Sequence, residues 1–351
     1  MPTEPRPRSA TVLFVTALLL FVVGSLVAWW QPPRLFPLKP QTAAEWWLQP
    51  LEDNAFQRMP RIGEKLNDVF VVPTTGEVWA VGKKGLIVYS RDGGRTWERA
   101  EIVGKTDKRP DLKRIVFTAD GSRGWAVGWN GTILATDNGD KNWQAQASGA
   151  DEVLEGIAFA ADGSHGWAVG WNGTILATDN GGKSWQAQVS GTTENLDGIA
   201  FAADGLRGWA VGSQGTILST DNGGKSWQAQ VSGTKKWLHS IAFAADGSHG
   251  RAVGWDSAIL SSGDGGKTWQ SQASGTKKWL HSIAFAADGS HGWAVGPEGM
   301  ILASDDGGKT WQAQAIKSNK HESIRIVTYD HSESDNSTHV GLNNIAFTPD
   351  G

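Results

Sequence analysis

A tryptophan recurs along this chain at Trp97, Trp143, Trp185, Trp227, Trp269 and Trp311, first 46 residues apart and then 42 apart four times. A second series, set in Gly-Trp-Ala-Val-Gly or close variants, keeps the same step through Trp79, Trp125, Trp167, Trp209 and Trp293, with Arg251 as its one departure. A fixed period near 40 restricts a chain to a stack of equivalent units, because each unit buries its faces only against its neighbours. Within residues 196–234, four short β-type runs (199–202, 208–211, 215–219 and 227–231) alternate with glycine- and aspartate-bearing turns. No 3.6-residue period survives the glycines, so the unit is not helical. Four antiparallel strands per unit make one propeller blade; a straight β-solenoid, the rival, has shorter repeats.

Composition agrees. The chain holds 45 glycines and 20 tryptophans with only 19% charged residues, so the excess serves turns and packing. A net charge of −4 argues against a nucleic-acid partner, and the absence of cysteine excludes disulfides, thiolate catalysis and zinc-thiolate sites. No cofactor is expected.

Counting units gives six complete ones between 66 and about 315, and Leu342-Asn343-Asn344-Ile345-Ala346-Phe347 restates the first strand of a seventh. Phe56-Gln57-Arg58-Met59 stands where a last strand would precede the first unit. The expectation is an all-β, seven-bladed-type propeller of four-stranded antiparallel blades, closed by that N-terminal strand.

Ahead of it, residues 9–33 carry no charge and 10–30 are almost wholly apolar, with Arg6 and Arg8 before them and Trp29 and Trp30 at the end. A run of about 20 apolar residues spans a bilayer core. The expected organisation is a cytoplasmic tail (1–8), a transmembrane signal anchor (9–30), a linker (31–55) and the propeller (56–351) with a polar insertion at 317–340. A cleaved signal peptide is the alternative, and either places the propeller outside the cytoplasm.

Between the third and fourth strands, Ser90-x-Asp92-x-Gly94-x-Thr96-Trp97 recurs as Ser262-x-Asp264-x-Gly266-x-Thr268-Trp269 and Ser304-x-Asp306-x-Gly308-x-Thr310-Trp311. Units three and four soften it to Thr-x-Asn-x-Gly-x-Ser-Trp, ending at Trp185 and Trp227; the second unit, ending at Trp143, departs most, with Asn138, Asp140 and Asn142. The carboxylate or amide accepts from turn N–H groups, the glycines take positive φ, and the tryptophan packs beneath. The motif is therefore structural.

These units resemble the Asp-box (BNR) repeats of sialidase-like propellers and, with Gly-Trp-Ala-Val-Gly and Asp-Gly-Gly-x-Thr-Trp in units of about 42, most closely resemble the photosystem II stability and assembly factor family over residues 56–351. The resemblance implies a non-enzymatic, extracytoplasmic propeller that binds a newly made membrane subunit. The rival is a sialidase-type glycoside hydrolase or a carbohydrate-binding propeller. Sialidase chemistry needs a tyrosine nucleophile with a glutamate, and only Tyr89 and Tyr329 exist. Identical turn aspartates, Asp162, Asp204, Asp246 and Asp288, repeat once per blade and offer no convergent carboxylate pair. His239 and His281 follow Trp-Leu in equivalent inter-blade loops and are expected at the surface; no histidine spacing is that of a metal site.

Comparing the repeats with one another shows two variable loops. After the second strand come Lys83-Lys84, Trp129-Asn130, Trp171-Asn172, Ser213-Gln214, Trp255-Asp256 and Pro297-Glu298. Between blades come Asp151-Glu152, Thr193-Glu194-Asn195, Lys235-Lys236-Trp237 and Lys277-Lys278-Trp279. Both emerge on the face opposite the Asp boxes, where tryptophan beside charge has the composition of a binding surface. Lysines gather on blades one, four and five, acids on blades two and three. The candidate partner-binding residues are Lys83, Lys84, Trp129, Trp171, Lys235, Lys236, Trp237, Trp255, Lys277, Lys278 and Trp279, with an acidic portion of a protein or peptide partner toward the lysines.

Overall fold

A computed structural model describes residues 65–314, apart from 105–108, 138, 140, 287 and 288. Within them the chain folds as consecutive sheets of four antiparallel strands that follow chain order, one of them carrying an added parallel strand on its edge. Blade four is representative: Leu196–Phe201 is innermost, then Gly208–Gly212, Ile217–Thr220 and Gln228–Gln230 outermost. The innermost strands touch one another in order from Leu66–Val71 of blade one to Ser282–Phe285 of blade six. Compared with the expected runs, the innermost strand begins three residues earlier, and Gly215 belongs to the preceding turn, at φ +69°.

The repeated letters are stitches between blades. Trp125, Trp167 and Trp209, each on a second strand, lie flat on Phe159, Phe201 and Phe243 of the next blade at 3.5–3.6 Å between centroids. Each of those phenylalanines meets its own blade's Asp-box tryptophan edge-on, as Phe201 meets Trp227 at 6.0 Å and 89°. The same second-strand indoles donate Nε1–H to a glycine carbonyl in the next Asp box: Trp125 to Gly181, Trp167 to Gly223 and Trp209 to Gly265, at 2.9–3.2 Å. Each aromatic contact adds about 0.5–1.5 kcal/mol beyond its buried area. A Cβ on Gly166 would come within 2.4 Å of the Phe159 ring, and one on Gly170 within 2.0 Å of the Val153 carbonyl, which is why glycine brackets the Trp-Ala-Val core.

One strand was not expected. After Glu98–Arg99 closes blade one, Glu101–Val103 crosses to blade two and pairs in parallel with Asn142–Gln146, making a fifth strand on its outer edge. Ile102 packs against the core shared by the two blades. This crossing lies in the stretch that makes the first tryptophan step 46 rather than 42.

The expected seven-bladed fold is corrected. Six four-stranded blades stand among the described residues and no seventh sheet is among them. The sequence holds only six copies of the hairpin and Asp box that supply a blade's middle strands. Segments 56–59 and 342–347, expected to share a seventh blade, lie outside the described residues, as do the linker and the insertion. So does the expected membrane segment at 9–30; among the described residues, which are all-β apart from single 3-10 turns, no helix is long and apolar enough to cross a membrane.

Candidate docking face

The Asp boxes close as the sequence implies. In blade five the Ser262 hydroxyl donates to Asp264 at 2.9 Å and accepts from Gly266 N–H, while Thr268 donates to both carboxylate oxygens. The Thr268 hydroxyl bond, then its N–H, hold the Asp264 pKa down at about 2. Asp92 and Asp306 repeat the arrangement. In blade three the amide reverses one bond, Asn180 Nδ2 donating to Ser184 Oγ, and keeps the rest. Trp143, Trp185, Trp227, Trp269 and Trp311 are buried and Trp97 is half-buried. The carboxylates of Asp92, Asp264 and Asp306 each serve their own turn.

At the other end of the blades, the turn after each second strand takes two consecutive residues at positive φ. The first is Lys84, Asn130, Asn172, Gln214, Asp256 or Glu298, at φ between 47° and 57°. The second is glycine in five blades and Ser257 in blade five. This is the type I′ hairpin geometry that favours Asn-Gly, so only blades two and three carry the preferred pair. The inter-blade loops pack onto these turns: Lys84 N–H donates to Asp111 at 2.8 Å, Asn172 N–H to Asn195 at 3.1 Å, and Lys236 Nζ to the Asp256 carbonyl at 2.8 Å. Lys278 pairs with Glu298. Both variable loop classes therefore meet on one face, and the three exposed tryptophans among the described residues, Trp129, Trp255 and Trp279, all stand there.

Of the candidate binding residues, Lys83, Lys84, Lys235, Lys236, Lys277 and Lys278 are exposed, and Trp171 and Trp237 are half-buried. The tryptophans fall in two groups. Trp129 meets Trp171 edge-on at 5.7 Å. Trp255 stacks on Trp279 at 4.9 Å and 11°, and Trp237 joins Trp255 at 5.5 Å.

Sequence reasoning missed a third component. The residue after the first leucine of each unit is Asn67, Lys113, Glu155, Asp197, His239 or His281, varying in every blade but the last pair while the leucine before it holds. Successive members touch: Lys113 pairs with Glu155 at 3.0 Å, and His239 with Asp197 at 2.9 Å. His239 is thus corrected from surface loop to half-buried inner strand, its ring 5.7 Å from Trp237 and 5.8 Å from His281. Burial pushes the Asp197 carboxyl up, and its bond to His239 partly offsets this. The sign in the sequence was a varying, polar position directly after a leucine that every unit keeps.

The sialidase-like chemistry finds one matching pair and the wrong surroundings. Tyr89 donates to Glu98 at 2.6 Å, but the ring is buried against Trp79, and burial, then the Glu98 bond, push its pKa up. A nucleophilic phenol needs the opposite shift and an open approach. Among the described residues no group of three or more acidic or histidine side chains is placed to hold a metal ion.

Blades of this construction, with Asp boxes on one face and variable aromatic loops on the other, define an Asp-box β-propeller. The family model of the photosynthesis system II assembly factor YCF48 matches residues 48–137, 135–236 and 269–345, more than half of the chain. The chain belongs to that family. Two curated relatives, photosystem II assembly lipoproteins Ycf48 of a Picosynechococcus and a Synechocystis species, are each 38% identical over 64 and 61 residues, 18% and 17% of both chains. The matched stretch thus spans under a fifth of those relatives. Among solved structures, YCF48 from Cyanidioschyzon merolae superposes with a TM-score of 0.57 at 22% identity, over 73% of this chain and 87% of that one. A YCF48 bound to D1 peptide gives the same TM-score and identity over 71% and 81%. These two likenesses are of fold.

Proposed function

We propose that this protein is a non-catalytic docking module that takes a protein or peptide partner on the face of hairpin turns and inter-blade loops, in the service of assembling a membrane complex. The observation that carries the reading is the convergence of both variable loop classes and the three exposed tryptophans on one face. Packed aromatic side chains beside charge are the usual energetic centre of an interface. Membership of an assembly-factor family supports the role, and a propeller of the same fold is known with D1 peptide bound. Work on the extracytoplasmic side is part of the proposal and is supported by the uncharged apolar run within residues 9–33; fractionation of cells producing the full chain tests it.

The docking role is tested by titrating the full-length chain with D1 peptide and with peptides covering other photosystem II subunits, wild type against a variant carrying glutamate at positions 235, 236, 277 and 278. Binding by the wild type and its loss in the variant are expected. Equal binding by both would sink the assignment of this face.

A further inference from the structure

The two aromatic groups on the docking face differ in how much of their polar chemistry is already satisfied. In the first, Trp171 Nε1 donates to Glu155 at 3.1 Å and Glu155 also takes Lys113. Asn172 donates to Glu152 at 2.9 Å, and Ser213 to Glu194 at 2.7 Å. Glu152, Glu155 and Glu194 are thus spoken for within the chain. A partner seated there would have to displace bonds before making its own, and exchanged bonds contribute little.

The second group is open. Trp279, Trp255 and Trp237 form a continuous stack ending on His239, whose ring Asp197 fixes through Nδ1. Trp255 and Trp279 keep 39% and 37% of their surface exposed despite that stacking. Lys236 and Lys278 are tied to the neighbouring turn, at the Asp256 carbonyl and the Glu298 carboxylate. Lys235 and Lys277, their chain neighbours at equivalent positions of adjacent loops, are exposed and have no ion-pair partner among the described residues. One lysine of each pair holds the loop in place, and the other is exposed without an ion-pair partner among the described residues.

Building on the docking reading above, we infer that the sector of blades four to six is the binding half of the face and that its ligand is an acidic peptide segment bearing an apolar or aromatic side chain between carboxylates. The carboxylates lie on Lys235 and Lys277, and the apolar group covers the exposed edges of Trp255 and Trp279. The stack is held before the ligand arrives, so little side-chain freedom is lost on binding. Like charge at the two lysines rejects a basic segment.

The test uses the full-length chain and two synthetic peptides, one repeating Asp-Phe-Asp and one with lysine in place of each aspartate, followed by fluorescence anisotropy. The aspartate peptide is expected to bind, more weakly as salt rises. Its Kd should rise at least about tenfold in Lys235→Glu/Lys277→Glu and in Trp255→Ala/Trp279→Ala, and less than about twofold in Trp129→Ala/Trp171→Ala. Lys235→Gln/Lys277→Gln, at exposed positions that leave the stack untouched, should give an intermediate loss. Equal loss from the Trp129/Trp171 variant, equally tight binding of the lysine peptide, or preferential binding of neutral oligosaccharides to this sector would overturn the inference. If D1 peptide binds through Trp129 and Trp171 instead, the docking face stands and this division of it falls. If no substitution on the face changes that binding, both fall.

Discussion

Arg251 donates from Nη2 to the Gly307 carbonyl at 2.6 Å, the place in blade six that Trp209 reaches in blade five when it donates to Gly265 at 3.0 Å. The repeat's one departure thus keeps the bond between blades and changes what surrounds it. Arg251 is buried, and its other hydrogen bonds go to the carbonyls of Gly250, Ser262 and Gly308. Burial pulls its pKa down, with Asp306 acting at a distance to raise it.

Restoring the repeat should therefore stabilise the protein. In Arg251→Trp the indole Nε1 keeps the bond to Gly307 and the ring covers Phe285, while a desolvated cation is removed. Replacing a buried charge by well-packed apolar volume is worth about 1–4 kcal/mol in favourable cases, and we expect the lower part of that range. Urea unfolding should show a higher midpoint with an unchanged slope. A lower midpoint would mean that the four carbonyl bonds outweigh the desolvation.

That substitution also shows what could be read from the letters. The blade, the Asp-box turn and the face of the variable loops follow from local chemistry repeated at one period, and a glycine at 166 or an aspartate at 264 does the same thing wherever the unit recurs. Two features were not legible because they depend on neighbouring units. The strand Glu101–Val103 is three residues long with two exposed ends, too short for its letters to show a period, and blade two's free edge makes it a strand. The His239–Asp197 pair joins residues 42 apart that look unrelated until two inner strands lie side by side. The blade count failed for a third reason: one restated strand does not supply a sheet.

The hairpin turn of blade five offers a second stabilising change. Ser257 sits at φ 57°, where the other five blades place glycine. A non-glycine residue in this region costs about 1 kcal/mol, so Ser257→Gly should raise stability by about that amount. The opposite change is blocked elsewhere: a Cβ on Gly173 would meet the Thr192 carbonyl at 2.0 Å. Gly173→Ala should therefore lower the thermal midpoint well beyond the effect of strain alone, and a loss no larger than that of an exposed Gly→Ala would contradict the packing.

Tyr89 gives a spectroscopic check on the join between blades one and two. Its phenol is buried, donates to Glu98 and lies with the Lys141 ammonium 5.5 Å from its ring; burial leads in pushing the pKa above 10. In a Tyr329→Phe background, the remaining tyrosine should ionise later than a free tyrosine in an alkaline absorbance titration. Adding Glu98→Gln removes one of the contributions that raise it and should move the midpoint down. Ionisation of Tyr89 near the ordinary value would mean that the phenol is open to water.

The Asp boxes make acid sensitivity predictable in sign. In the folded chain the Thr268 bonds hold Asp264 at about 2, and Asp92 is likewise at about 2 because its bonds to Thr96 outweigh the burial that opposes them. Asp306 is lowered too, led by the Thr310 hydroxyl. An unfolded aspartate titrates near 3.9. A folded pKa below the unfolded one means that the unfolded chain binds more protons, so the contribution is fully present above about pH 4 and is lost as pH falls toward about 2. Asparagine at the same place keeps the acceptor, as Asn180 and Asn222 do in blades three and four, but cannot titrate. The variant Asp92→Asn/Asp264→Asn/Asp306→Asn should therefore have a lower thermal midpoint at pH 7 and a shallower decline between pH 4 and pH 2. Some decline should remain, because the turn aspartates Asp120 and Asp162 are also held at about 2. Midpoints measured across that range decide it: a decline as steep as the wild type's would show that the Asp boxes are not where the chain feels acid.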